Sequence, residues 1–159
     1  MARRFSIRFK AAIFISLSIP LIKVTSRAGQ YSETFFQELP RGVSSLFSRY
    51  DDFSIGNEST NYLLSVGART HDSTASLTDN TPFTTFDADN DSVENLNCAF
   101  KSADYKNGGF WYTNCGGFQP NGEYHNGVGG QYQKFIYWKN FRGETEALRR
   151  TLMMFRKKR

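Results

Sequence analysis

The sequence predicts an α+β domain of low helix content, with a short antiparallel sheet beside a large loop-rich region. Three observations predict it. Only residues 32–39 could form a helix of more than a turn, with Ser32 as cap and Pro40 as stop. The segments at Leu46–Phe53, Tyr62–Val66, 135–139 and 147–156 read as short strands. Residues 67–131 carry neither helical nor strand periodicity and are rich in Gly, Asn, Asp, Thr and Ser with aromatics interspersed.

The chain has 159 residues, 39% hydrophobic and 22% charged, which excludes a disordered chain and fits one domain. Aromatics reach 16%, so large rings must carry much of the core. The net charge of +5 is uneven. Arg3, Arg4, Arg8, Lys10 and Lys23 supply all of it without an acid in residues 1–26, and the remainder sums to zero. The folded part therefore has no basic footprint for nucleic acid, and the tail at 157–159 reads as a solvated terminus.

The elements follow in chain order. Met1–Lys10 is basic, Ala11–Ile22 is apolar and Val24–Gly29 is small and polar, the three-part pattern of a secretory signal peptide over residues 1–26. The apolar run is too short to span a bilayer and contains Pro20, so no membrane span is expected. Residues 27–45 are poorly defined, and a domain is expected over 46–156. Between the first two strands, Gly56–Asn61 is turn chemistry, and Asn57-Glu58-Ser59 is an acceptor tripeptide for N-glycosylation. In the last strand Leu148, Leu152, Met153, Met154 and Phe155 are the expected buried set.

The sharpest local pattern is Phe86–Asn95, in which Asp87, Asp89 and Asp91 alternate. Converging carboxylates repel unless a cation compensates them, so the segment is either a solvated acidic turn or a calcium site. An EF-hand is excluded, because counting from Asp87 places Ser92 where glycine is required and Cys98 where glutamate is required. In a secreted chain the two cysteines, Cys98 and Cys115, are expected to pair. No catalytic motif is present, and His71-Asp72-Ser73 are sequence neighbours rather than a spatially assembled triad, so no enzyme is expected.

Six motifs in order carry a family resemblance: Phe83–Asp91, Asn97-Cys98-Ala99, Gly108–Cys115, Asn121–Tyr124, Ile136–Lys139 and the closing strand Leu148–Arg156. Upstream, Tyr50–Glu58 and Tyr62–Gly67 fit the same pattern. Together they resemble the C-terminal half of a fibrinogen-related domain, as in ficolin- and tachylectin-like lectins, with the N-terminal part of the domain missing. The resemblance implies a calcium subdomain in which Asp89 and Asp91 bind by side chain and Val93 and Asn95 by backbone carbonyl. It implies a cis bond between Asn114 and Cys115, and a neighbouring ligand pocket. There the N–H groups at Cys115 and Gly116, following Asn114, form the polar floor, and Tyr105 and Tyr132 the walls. Gly116 stands where the family has His, and Glu144 where an aromatic is common, which places a carboxylate against anionic ligands.

The function implied is a secreted, calcium-dependent recognition protein of innate defence that binds acetylated glycans. The alternative is an extracellular structural or adhesive protein that binds peptide partners, or a truncated family member that binds nothing.

Overall fold

The computed structural model describes residues 9–16, 45–71, 77–102, 105–115, 117–125 and 134–157. The main sheet comprises β1 (Phe9–Ser16), β2 (Ser45–Ile55), β3 (Leu64–Val66), β4 (Arg69–His71) and β9 (Arg150–Lys157). Its order is β3-β2-β1-β9, with β4 also paired to β2, and every pairing is antiparallel. Two small ribbons lie outside it: β5 (Phe100–Ser102) with β6 (Tyr105–Lys106), and β7 (Phe118–Gln119) with β8 (Tyr137–Trp138). One short helix, α1 (Lys139–Arg142), ends where the Gly143 N–H bonds back to the Lys139 carbonyl. Gly143 has φ +76°, a conformation glycine adopts without steric cost.

The run read as a leader core supplies β1, which lies between β2 and β9. β2 shows why alternation alone does not place its side chains. Phe9 pairs with Phe53 and Ala11 with Tyr50, so two residues of β2, Asp51 and Asp52, face one of β1. This bulge resets the pleat and lets both Tyr50 and Phe53 point into the core at 3% exposure. The expected second strand begins at Leu64 rather than Tyr62. Asn61 and Tyr62 take left-handed conformations, φ 50° and 51°, which end the turn.

The core is aromatic, as composition requires. Trp138, Tyr137, Phe135, Leu64 and Leu148 are among the largest fully buried side chains. Phe118 packs between Phe110 and Trp138, with ring centroids 5.4 and 5.2 Å away. The last strand corrects the expected buried set. Leu148 is buried and Met153 packs against the core, but Phe155 is 48% exposed, its ring 4.7 Å from that of Phe53. Met153 and Phe155 are two apart and share one face of β9, so cover falls away along that face toward the end of the strand. The helix expected at 32–39 lies outside the described residues.

Candidate functional site

Residues 83–99 form the loop that carries the aspartates. Its entrance is tied to the rest of the fold by a two-way backbone pairing of Thr84 with Phe110, at 3.0 and 3.1 Å. Asparagine amides hold its interior. Asn90 Nδ2 donates to the Phe83 carbonyl at 2.8 Å, Asn97 Nδ2 to that of Thr85 at 2.9 Å, and Asn107 Nδ2 to that of Cys98 at 2.9 Å. Ser92 Oγ donates to the Thr113 carbonyl, joining the acidic turn to the segment before the second cysteine. Buried carbonyls outside regular structure need such partners, and short amide side chains supply them.

Asp91 is the centre of this arrangement. One carboxylate oxygen accepts the Val93 N–H and the other the Cys98 N–H, each at 2.8 Å. Burial pushes the Asp91 carboxyl above the ordinary 3.8; the two N–H bonds pull it back, and the neighbouring charge of Asp89 raises it further. The Asp91 N–H reaches Asp89 Oδ1 at 3.4 Å, which sets the two residues side by side. Asp87 serves a different purpose, accepting the Thr85 hydroxyl at 2.6 Å. Val93 packs against the core and Asn95 takes a left-handed conformation, φ 60°. Two like charges with free lone pairs, and a raised proton affinity, fit a hard cation.

Cys98 and Cys115 are bonded, with Cα atoms 4.8 Å apart. The Asp91 carboxylate lies within 4.8 Å of both sulfurs. Sulfurs bonded to each other offer no thiolate, so this triplet is a structural joint rather than a metal-thiolate centre. Beside it, Tyr112 is buried, with its hydroxyl 2.6 Å from both the Gly108 carbonyl and Gln119 Oε1. Burial pushes its phenol well above the usual 10.0, with the Gln119 bond opposing. One phenolic proton cannot serve two acceptors, and Gln119 Nε2 has no partner among the described residues. Turning the Gln119 amide over resolves both, since Nε2 then donates to Tyr112 while Tyr112 donates to Gly108.

The expected ligand pocket fares differently from the loop. The Asn114–Cys115 bond is trans, against the cis expectation; among the described residues no peptide bond is cis. Trans is the lower-energy form by about 3–4 kcal/mol. Asn114 is exposed and Cys115 nearly buried. Tyr105 lies in β6. Gly116 and Tyr132 lie outside the described residues. Glu144 is ion-paired, its Oε1 2.8 Å from Lys139 Nζ, so it does not present the uncompensated wall charge expected from sequence.

Sequence reasoning missed the structural work of Asn97, Asn107 and Trp111. Trp111 Nε1 donates to the Tyr62 carbonyl at 2.9 Å, and its ring meets Phe83 edge-on at 5.0 Å, fastening the β2–β3 hairpin to the acidic loop. The density of asparagine through the loop was the available signal. No helix among the described residues is long and apolar enough to cross a membrane.

The comparisons agree with this geometry. Residues 23–158 match the family model for the C-terminal globular domain of fibrinogen beta and gamma chains, a match that begins upstream of the motif resemblance. The chain is 34% identical over 141 residues to angiopoietin-related protein 6 of Homo sapiens, covering 86% of this chain and 28% of that protein. It is 38% identical over 117 residues to Homo sapiens angiopoietin-1, covering 69% of this chain and 22% of that protein. The solved fibrinogen-like globe domain of human ANGPTL6 superposes with a TM-score of 0.69 at 28% identity, covering 96% of this chain and 58% of that one. That of human ANGPTL2 gives 0.68 at 27%, covering 94% and 58%. The chain thus spans about a quarter of these curated relatives and somewhat over half of the globe domains. With its acidic loop, its disulfide and its short antiparallel sheets in the family's order, the chain belongs to the fibrinogen C-terminal globular domain family.

Proposed function

We propose that this chain is an extracellular, non-catalytic recognition domain that binds a protein partner, with calcium ordering the loop that supports the contact. Similarity to angiopoietin-related protein 6 and angiopoietin-1 favours this over acetylated glycans. The trans bond before Cys115 takes away one support of the glycan reading.

The observation that carries the calcium part is Asp91, whose carboxylate joins the acidic turn to the disulfide while Asp89 stands beside it. Asp89 and Asp91 would hold the ion by side chain, and the carbonyls of Val93 and Asn95 would complete the set. When bound, calcium supplies a positive charge that relieves the repulsion between the two carboxylates. The chain's own part is to fix the loop against Cys98 and Thr113. Exposed apolar side chains lie in that loop, Phe86 at 66% and Leu96 at 37% exposure, and such groups are suited to a protein contact. Secretion follows from the leader pattern of residues 1–26.

The test measures the purified chain against a panel of enzymatically deglycosylated extracellular receptor domains, with calcium and with excess chelator. N-acetylglucosamine beads form a parallel arm. Chelator-sensitive binding to a deglycosylated domain is expected, with none to the beads. Retention on the beads, eluted by free N-acetylglucosamine, would return the reading to a lectin. Binding unchanged by chelator and by Asp89→Ala would remove calcium from it.

A further inference from the structure

Two tripeptides in this chain fit the acceptor pattern for N-linked glycans: Asn57-Glu58-Ser59 and Asn90-Asp91-Ser92. Pattern alone does not separate them. We infer that Asn57 carries a glycan and Asn90 does not, because only Asn57 has an outward, uncommitted side-chain amide. The inference rests on the extracellular reading proposed above, since the modification needs passage through a secretory compartment.

Asn57 lies in the turn between β2 and β3 and is exposed, as are Glu58, Ser59 and Thr60. Its backbone does the structural work. The Asn57 carbonyl accepts the N–H groups of Thr60 and Tyr62, each at 3.0 Å, and the Thr60 hydroxyl at 2.8 Å. The side chain is separate from that network. Ser59 Oγ donates to Asn57 Oδ1 at 2.8 Å, which turns the carboxamide oxygen toward the loop. Asn57 Nδ2 makes no hydrogen bond among the described residues, so a substituent on it costs the turn nothing.

Asn90 is the opposite case. It is half-buried, and its Nδ2 donates to the Phe83 carbonyl at 2.8 Å while its backbone N–H reaches Thr84 Oγ1 at 3.2 Å. The hydroxyl of Ser92 is spent on the Thr113 carbonyl. A sugar on Asn90 would have to leave from a half-buried amide nitrogen already held against the Phe83 carbonyl, where the acidic loop closes on its entrance.

The reaction needs an oligosaccharide on a polyprenyl diphosphate carrier and the membrane transferase that uses it. The Asn57 side-chain nitrogen forms a bond to the anomeric carbon and the bond from that carbon to the diphosphate oxygen breaks. The polyprenyl diphosphate leaves with the electron pair, and one amide proton passes to a carboxylate of the transferase. Nothing is oxidised or reduced. Once attached, the glycan stands beside Ile55 and Tyr62, 47% and 48% exposed, and shields that apolar end of the hairpin.

The full chain is expressed in cultured animal cells in two forms, one with its own N-terminus and one with a heterologous leader placed before residue 1. Protein from the medium and from the membrane-enclosed fraction is treated with peptide N-glycosidase in heavy-oxygen water, and the peptides holding Asn57 and Asn90 are weighed. The Asn57 peptide is expected to gain the heavy-oxygen aspartate mass and the Asn90 peptide to stay unchanged. Asn57→Gln and Ser59→Ala should each remove the glycosidase-sensitive gel shift, whereas Ser59→Thr keeps it. An unmodified Asn57 peptide in the heterologous-leader protein, or a modified Asn90 peptide, overturns the assignment. Modification only with the heterologous leader upholds Asn57 and overturns the native secretion reading instead.

Discussion

Replacing Asp91 with alanine isolates the joint between the acidic loop and the disulfide. The change strands two backbone N–H groups. That of Cys98 is on a fully buried residue, while that of Val93 is half-exposed and can take a water instead. Hydrogen bonds to a charged acceptor contribute about 1.5–3 kcal/mol each. Burial and the neighbouring Asp89 both disfavour the Asp91 charge, so removing it returns part of the loss. A net destabilisation of about 2 kcal/mol follows, which lowers the melting temperature of a chain this size by about 4–8 °C. The assay is thermal unfolding in excess chelator, so that no cation contributes, with Asp91→Asn beside it. The asparagine variant keeps one acceptor oxygen and no charge, and should fall between wild type and alanine. The pH dependence has a definite sign. A carboxyl raised in the folded state favours folding below its ordinary 3.8, and that contribution is lost as pH rises through the raised value. The alanine variant should lack that slope. Added calcium should stabilise wild type and leave Asp91→Ala unmoved. A melting temperature for Asp91→Ala within about 1 °C of wild type in chelator, corresponding to a few tenths of a kcal/mol, would refute the role given to this carboxylate.

Three further outcomes can be measured directly. Converting Cys98 and Cys115 to serine opens a loop whose closure contributes about 3 kcal/mol in the chain-entropy model, so urea unfolding should shift by about that amount; an unchanged midpoint would show that the bond constrains nothing. Gly122→Ala would place a methyl 2.4 Å from the Phe135 carbonyl oxygen and 2.5 Å from its carbon, backbone atoms that cannot swing aside, so it should destabilise by about 1–3 kcal/mol, and wild-type stability would mean the two segments are less closely held. In alkaline titration followed by phenolate absorbance, Tyr112 should resist ionisation beyond 10.0 until the fold opens. Its raised phenol favours folding below 10.0 and that contribution is lost as pH rises, so Tyr112→Phe should flatten the alkaline loss of stability and abolish the late step.

What the sequence made legible was whatever a fixed spacing encodes. β2 and β3 were readable because apolar runs flank Gly56–Asn61, and the disulfide because its motifs stand in a known order. The two-residue strands β6, β7 and β8 were not all readable, since two residues cannot display a period. Phe155 is exposed although it shares a face with Met153, because alternation tells which residues share a face and not how far along the strand that face stays covered. The bulge at Asp51 and Asp52 follows from pairing to β1, a partner some forty residues away along the chain. In the loop, the carboxylates were visible as a pattern, but the asparagines that hold them act through backbone carbonyls, which every residue possesses and no sequence distinguishes. The trans bond before Cys115 shows the limit of transferring a family's local geometry from matching motifs.

β1 has a consequence of another kind. An apolar run of this length has the same appearance whether it engages a translocation channel or completes a sheet. Phe9–Ser16 lies within the leader pattern and also between β2 and β9, so one stretch of chain carries two incompatible destinies. While it stays attached, it closes the sheet from within, with hydrogen-bonded neighbours on both sides. If residues 1–26 were cut away, β2 and β9 would each gain an open rim of unpaired N–H and carbonyl groups, and such rims recruit extended chain. A single peptide-bond hydrolysis then changes how the molecule completes itself. The seat vacated by β1 becomes one that an extended segment from another molecule, a second copy included, can fill.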